Sequence, residues 1–384
     1  MNYDAVIVGA GFTGAALAYQ FAKDGKKVLV LEKRAHIAGN MYDYKDDKTG
    51  ILIQKYGVHS FHTNHKKVFD FITAVDSRWA PFVLRAYVSI KGQLTPSPFN
   101  FDTVEQYFTR EDALEIKKAL AETFDYEAAA TILQMLNSEN EYVRKYAEFL
   151  YEEDYKPYTS KQWGIEPDEL DPFILRRVPV RLSYINQYFD DKYQVQPVNG
   201  YTSFFETMLS DKNIKIELNQ DALKRLHIAD HKVYLDSEPC MVPVIYTGPV
   251  DELFHYQYGR LPYRSLEFKY QTVDVNSYQP SPGVAYPKET GYTRITEFSK
   301  LMLIPPKTGR SVIAYEYPSD YVQGVNEAFY PVLTKQSQEM ADQYKKEAGM
   351  VSGLFVCGRL GDFQYYNMDQ ALLRALDLYK LLQK

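Results

Sequence analysis

Three arginines crowd the run Ile-Leu-Arg-Arg-Val-Pro-Val-Arg, residues 174 to 181, which contains no carboxylate. Arg176, Arg177 and Arg181 offer planar, permanently charged donors that match a carboxylate or phosphate bidentately. A second constellation is Gly9-Ala10-Gly11-Phe12-Thr13-Gly14, whose spacing suits a pyrophosphate laid on a strand-to-helix turn. Gly9 allows the tight turn, Gly11 lets phosphate approach the backbone, and Gly14 permits close packing of helix on strand. Glu32, 18 residues beyond Gly14, is placed to accept from a ribose hydroxyl. A third is Gly358-Arg359-Leu360-Gly361-Asp362, glycines and an acid directly after an apolar run. In flavin enzymes with two nucleotide-binding signatures, such a turn meets the ribityl and phosphate groups, and the pair of motifs tilts the cofactor from NAD towards FAD. His59, His62 and His65 are close in sequence, but no cysteine or carboxylate cluster joins them, so no metal is expected.

The elements that must position these residues are legible in outline. Asp4 to Val8 is a β-branched run, AALAYQFAKDG reads as a helix, and Lys27 to Leu31 is a second apolar strand ending at Glu32. From Thr103 to about Tyr155 the chain lacks glycine and proline and carries apolar residues at helical spacing, including Leu114, Ile116, Leu120, Ile132, Leu136, Tyr146 and Leu150, which predicts an all-helical insertion. After Pro179 alternating β-branched and aromatic residues predict antiparallel strands to about Tyr317. VPVIYTGP at 242 to 249 and LFVCGRLG at 354 to 361 are further buried strands, the second followed by a helix from about Met368. PSPF at 96 to 99 is the nearest thing to a linker. The fold class is therefore α/β: a discontinuous Rossmann-like domain built from both ends of the chain (1–77, 195–250 and 340–384), a helical insertion (101–176), and an antiparallel sheet subdomain (78–100, 177–194 and 251–339).

The totals exclude several classes. A net charge of -6 argues against a nucleic-acid surface, so any anion site must be local. No apolar stretch reaches 18 residues, so no membrane insertion is expected, and the polar start MNYDAVIVGAG is unlike a signal peptide. Cys240 and Cys357, 117 positions apart in apolar surroundings, read as reduced buried thiols of a cytoplasmic chain. The 34 tyrosines are roughly three times an average complement. Many will pack in the core, and some are expected to line a polar cleft.

Seven segments, KRAHIAGN (33 to 40), YGVHSFHT (56 to 63), YTSKQWG (158 to 164), ILRRVPVR, YQYGRLPYRSLEF (256 to 268), YTRITEF (292 to 298) and CGRLGDFQYYNMD (357 to 369), resemble the UDP-galactopyranose mutase family in order and separation. The resemblance covers the chain end to end. It implies a reduced FAD whose N5 attacks the anomeric carbon of UDP-galactopyranose and expels UDP. The iminium adduct then lets the ring open, the 4-hydroxyl closes the five-membered ring, and UDP displaces the flavin. It implies Arg177 and Arg294 as diphosphate ligands, Arg177 on a mobile loop that carries Trp163, and Tyr158 as the ring stacked on uracil. Tyr188, Tyr330 and Tyr365 are the implied phosphate donors, Glu316 and Asn367 stand near the substrate, and His59 and His62, which with Arg177 and Arg294 are the expected catalytic residues, face flavin and sugar. The implied cofactor positions are Gly9, Gly11, Phe12, Gly14, Glu32, Lys33, Asn40, His59, Gly248, Arg359, Tyr365 and Met368. Arg176 and Arg181 are expected on a solvated face or paired with Asp171 and Glu169.

The implied partners are a nucleotide sugar, an external electron donor such as NAD(P)H or a reductase, and a second copy packed through the helical insertion. The product would feed galactofuranose into cell-surface polysaccharide. Departures from the family pattern are Gly57-Val58-His59 for Gly-Pro-His, Ala38-Gly39-Asn40 for Gly-Gly-Asn, and Ala285-Tyr286 for an Asn-Tyr in the sugar region. His59 is retained where relatives acting on N-acetylated sugar carry a larger basic residue, which favours plain galactose over UDP-GalNAc, while dTDP-fucose stays an alternative. The cofactor motifs alone would also suit a flavin oxidoreductase of the amine-oxidase superfamily, or a nucleotide-sugar binding protein without catalysis.

Overall fold

The computed structural model describes residues 2–169, 172–176 and 178–383, so Asp171 and Arg177 lie outside the described residues. The first apolar run forms β1 (Ala5–Val8), with every residue buried. Continuous burial is what a central parallel strand requires, because helices cover both its faces. The glycine turn leads into α1 (Phe12–Lys23), and β2 (Val28–Leu31) returns beside β1. The sheet is all-parallel, in the order Ile214–Glu217, β2, β1, Val244–Tyr246, Leu354–Val356. With β1 at its centre, the glycine turn emerges at the middle of the sheet's carboxyl edge, where open α/β sheets bind ligands. One face packs Ile7, Leu17 and Phe21 against Leu372 and Tyr379 of the helix Met368–Leu382. The other packs Val6 and Tyr246 against Tyr344 of the helix Lys335–Met350.

A second, seven-stranded sheet runs Tyr330–Pro331, Tyr263–Val273, Ser311–Asp320, Arg294–Glu297, Gly283–Ala285, Ala86–Ile90, Gln93–Ser97. It is antiparallel except between Gly283–Ala285 and Ala86–Ile90. Beside it lie the helices Phe101–Tyr107, Arg110–Thr123, Ile132–Leu136 and Glu141–Leu150, closed around Val104, Ile116, Leu120, Met135 and Val143. The last of these continues through one π turn, Tyr151–Tyr155, into Lys156–Trp163.

Four expectations are corrected. The predicted all-helical tract is broken by the strand Ala129–Ala130, which pairs antiparallel with Val180–Arg181. Alanines favour helix locally, and here a partner some fifty residues away overrides that preference. Arg181, expected on a solvated face or beside Asp171 or Glu169, is buried and places Nη1 2.5 Å from Asp190 Oδ1. PSPF is sheet and core, not linker: Pro96 and Ser97 pair with Tyr87 and Ala86 on an edge strand, where a missing N–H is tolerated, and Phe99 is buried. The expected run of antiparallel strands is interrupted by the helix Tyr201–Met208 and by the parallel strand Ile214–Glu217. That helix follows Gly200, which has no capping side chain, and its first N–H groups are taken by the buried Asp43 carboxylate, 2.7 Å from Tyr201 N and 2.8 Å from Thr202 N.

A Cβ on Gly14 would lie 2.0 Å from the Gly9 carbonyl oxygen, so α1 and β1 meet backbone to backbone. Gly14→Ala is therefore expected to lower stability by about 1–3 kcal/mol, the usual cost of overpacking. Thermal unfolding would show an unchanged midpoint if this contact were slack.

Candidate active site

At the carboxyl ends of β1 and β2 the glycine turn opens into a cleft of about 1280 Å³, mouth included. Gly9 has φ +99° and a Cβ there would sit 2.2 Å from Thr247 Oγ1; a Cβ on Gly39 would sit 2.8 Å from Gly11 Cα. α1 starts at Gly11 with no side-chain cap and no acid in its first turn. Its leading N–H groups and the positive end of its dipole are thus left for an anion. The Glu32 carboxylate ends β2 and accepts from Ala10 N at 2.7 Å and Arg34 N at 2.9 Å. Gly9, Gly11, Phe12, Gly14, Glu32, Lys33, Asn40, His59, Gly248, Arg359 and Met368 all line this cleft, and Asn367 joins them.

Sequence reasoning passed over two lining residues. Arg34 ion-pairs with Glu327 at 2.8 Å, donates to Asn40 Oδ1 at 3.0 Å and lies over the Tyr56 ring at 4.4 Å. Its Nε is buried without a hydrogen-bond partner. Arg34 stood in the quoted KRAHIAGN segment and was a readable cation. Glu327, 293 positions away, carried no local signal.

Beside the cleft, the second sheet builds a cationic site. Arg294 and Glu316 are register partners on adjacent strands, with Nε and Nη2 3.1 and 3.0 Å from Glu316 Oε2. Thr296 donates to the other oxygen, Oε1, at 2.7 Å. Burial opposes the Arg294 charge, but the Glu316 carboxylate beside it acts in the other direction and its pKa is raised. Burial also raises the pKa values of Tyr158 and Tyr330, so both stay protonated hydrogen-bond donors at neutral pH. Tyr365 stands outside the cleft lining and stacks on Tyr330 at 5.1 Å. Trp163 is buried against both rings, at 5.6 Å from Tyr365 and 6.2 Å from Tyr330, and the Arg359 guanidinium lies over both at 5.4 and 5.3 Å. Tyr188 packs edge-on against Phe189.

The two histidines part company. His59 joins the two sites: burial lowers its pKa to about 4, a Gly57 carbonyl raises it in part, and the fields of Arg359 and Arg294 lower it further. Its Nδ1 is 2.9 Å from Gly57 O, an acceptor only, so the neutral ring donates there and keeps Nε2 as an acceptor. His62 is turned to structure: its Nδ1 lies 2.8 Å from Asp191 Oδ2 and its ring stacks on Phe189 at 3.5 Å. Among the described residues no group of three or more His, Cys, Asp or Glu is placed to share a metal ion, and no helix is long and apolar enough to cross a membrane.

The glycine turn, the uncapped start of α1, the carboxylate closing β2 and the orphaned Arg34 Nε fit a dinucleotide. With the arginine and tyrosine site on the second sheet, they define a Rossmann-type dinucleotide-binding protein with an adjoining site lined by arginine and tyrosine. A family model described as UDP-galactopyranose mutase matches residues 154–365, and one described as an NAD(P)-binding Rossmann-like domain matches residues 7–75. The chain is 32% identical over 376 residues to a probable UDP-galactopyranose mutase of Klebsiella pneumoniae, covering 98% of this chain and 93% of that one. It is 31% identical over 378 residues to a dTDP-fucopyranose mutase of Escherichia coli, covering 98% and 97%. A crystal structure of reduced UDP-galactopyranose mutase shares the fold with a TM-score of 0.76 at 14% identity, covering 100% and 94% of the chains. The chain belongs to the UDP-galactopyranose mutase family and is by family an isomerase. Fold and family together imply FAD as the occupant of the cleft.

The lowered pKa of His59 has a measurable consequence. A histidine near 4 in the folded chain and near 6.5 unfolded withdraws stability as pH falls through that window, by at most about 3 kcal/mol. His59→Gln is therefore expected to lose less thermal stability between pH 7 and pH 5 than the parent. Equal losses in both would contradict a neutral His59.

Proposed function

We propose that the chain interconverts UDP-galactopyranose and UDP-galactofuranose without net oxidation, with FAD bound and reduced. The reading rests on one juxtaposition: Arg294, held by Glu316 and surrounded by phenols, shares its electrostatic environment with His59 at the cofactor cleft. A diphosphate that leaves a sugar and returns must be held throughout, and guanidinium with neutral phenolic donors does so at low desolvation cost. Reduced FAD, when bound, supplies N5 as the nucleophile for the anomeric carbon. Arg294 and Arg177 then hold the diphosphate, while Tyr188, Tyr330 and Tyr365 donate to it. Tyr158 stacks on uracil, Trp163 closes the aromatic wall, and Asn367 stands near the substrate. Glu316 aims Arg294, and neutral His59 accepts from a sugar hydroxyl. His62 acts at a distance, by holding the strand that follows the His59 loop.

The same proposal carries the partition of the chain into cofactor, helical and sheet units at the boundaries given above. It also carries a cytoplasmic setting, an external donor such as NAD(P)H or a reductase, and a dimer through the helices. A second reading keeps the chemistry and changes the sugar to dTDP-fucose. It is favoured by Ala285-Tyr286 in place of Asn-Tyr and by the similarity to the dTDP-fucopyranose mutase.

The deciding assay is anaerobic incubation of dithionite-reduced protein with UDP-galactofuranose, and in parallel with dTDP-fucofuranose, with oxidised protein as control. Conversion to the pyranose in the reduced sample alone is expected, and the better substrate identifies the sugar. Oxygen-dependent turnover without reductant would point to an oxidase instead. Arg294→Ala is expected to retain FAD and lose roughly 10²-fold or more in turnover. Near-parental turnover would remove Arg294 from the diphosphate site.

A further inference from the structure

Lys161 is a cation that the reading above leaves without a task. It sits on the helix Lys156–Trp163, between Tyr158 and Trp163, and its Nζ lies 2.7 Å from Tyr286 O, 2.7 Å from Glu289 O and 2.8 Å from Tyr292 O. An ammonium has three hydrogens and no acceptor, so all three donors are used on one loop. The loop is a turn that closes on itself, with Tyr286 N donating to Thr293 O at 2.8 Å and Gly291 at φ +90°. Three carbonyl oxygens converging on one point repel one another unless a cation fills it. Two residues after Tyr292 the chain reaches Arg294.

Other bonds tie the same two pieces. Glu153, in the π turn that precedes the helix, pairs with Lys288 of the loop at 2.7 Å. Arg264 Nε donates to Gln162 O at 2.9 Å and its guanidinium lies where a side chain on Gly164 would go, so the helix end is pinned to the sheet from below. The Lys288 bond is half-exposed and screened by solvent, as surface pairs are. The Lys161 bonds are multiple, short and directed at fixed backbone.

We propose that Lys161 is a positioning residue that fixes the Tyr158 helix against the loop leading into Arg294, so that one nucleoside diphosphate can engage the Tyr158 ring and the Arg294 guanidinium together. The inference rests on the nucleotide-sugar reading, because it needs a ligand that engages both ends at once. Arg294 stays held in its strand between Ala285 and Glu316, so removing the ammonium frees the helix from the loop and lets the Tyr158 ring drift from the guanidinium. A ligand that bridges them loses the gain from simultaneous engagement, whereas one that touches a single end keeps its affinity.

The test is calorimetric titration of the FAD-bound protein with UDP, with pyrophosphate and with uridine, in the parent and in Lys161→Met. In the variant UDP is expected to weaken by about tenfold or more. Pyrophosphate and uridine are each expected to stay within about twofold, since each keeps its one end. FAD content is expected to stay at the parental level. A general structural defect would weaken all three ligands together, and that result, or an unchanged UDP affinity, would overturn the inference. Where Lys161→Met yields no folded holoprotein, Lys161→Arg serves, since a planar guanidinium does not reproduce three converging donors and the same split is expected. A parent protein that binds neither UDP nor dTDP would instead sink the nucleotide-sugar reading, whatever the variant does.

Discussion

A Cβ on Gly14 would stand 2.0 Å from the Gly9 carbonyl oxygen, and one on Gly39 2.8 Å from Gly11 Cα, so three segments of backbone meet without side chains between them. This contact brings the N-terminus of α1 to the centre of the sheet edge and leaves its N–H groups facing an open cleft. A helix end that is neither capped nor charged by an acid is unfavourable unless something negative completes it. The segment from Ala38 to Met41 lines the same cleft. Ala38 itself adopts φ 73°, a left-handed conformation that an alanine holds only where its surroundings impose it.

The second site solves a different electrostatic problem. The chain is net negative, so positive charge is local, and Glu316 confines and aims that of Arg294. Arg294 is about one-third exposed and its carboxylate partner is buried, so the pair is better understood as orientation than as stability. Phenols complete the site. They donate hydrogen bonds without adding charge, and burial keeps them protonated, which accounts for part of the tyrosine excess in physical terms. Others serve packing, as Tyr146, Tyr201 and Tyr344 do as fully buried rings.

Where reading the sequence succeeded, the information was local. The glycine turn, β1, α1 and β2 lie within some thirty residues, and spacing alone specifies which of them touch. Where it failed, a partner came from far away. Asp43 caps a helix 158 residues on, and Ala130 is drawn into a strand by Val180. Lys161 lies within YTSKQWG without a legible role, because its acceptors are backbone carbonyls 125 to 131 positions distant and carry no side-chain signature.

By itself, then, the sequence determined the dinucleotide turn, the broad α/β class and, through matched segments, the family. Those depend on periodicity, on glycine at fixed offsets and on residue identity, which are properties of short stretches. Tertiary structure alone decided that His59 faces the cleft while His62, three residues on, pairs with Asp191. It also decided that Arg34 rather than Lys33 is the well-held cation, and that the Tyr158 helix is tied to the loop before Arg294. Each of these is a convergence of groups from separate elements. Convergence is set by how whole sheets and helices pack, a constraint that no single stretch of chain contains.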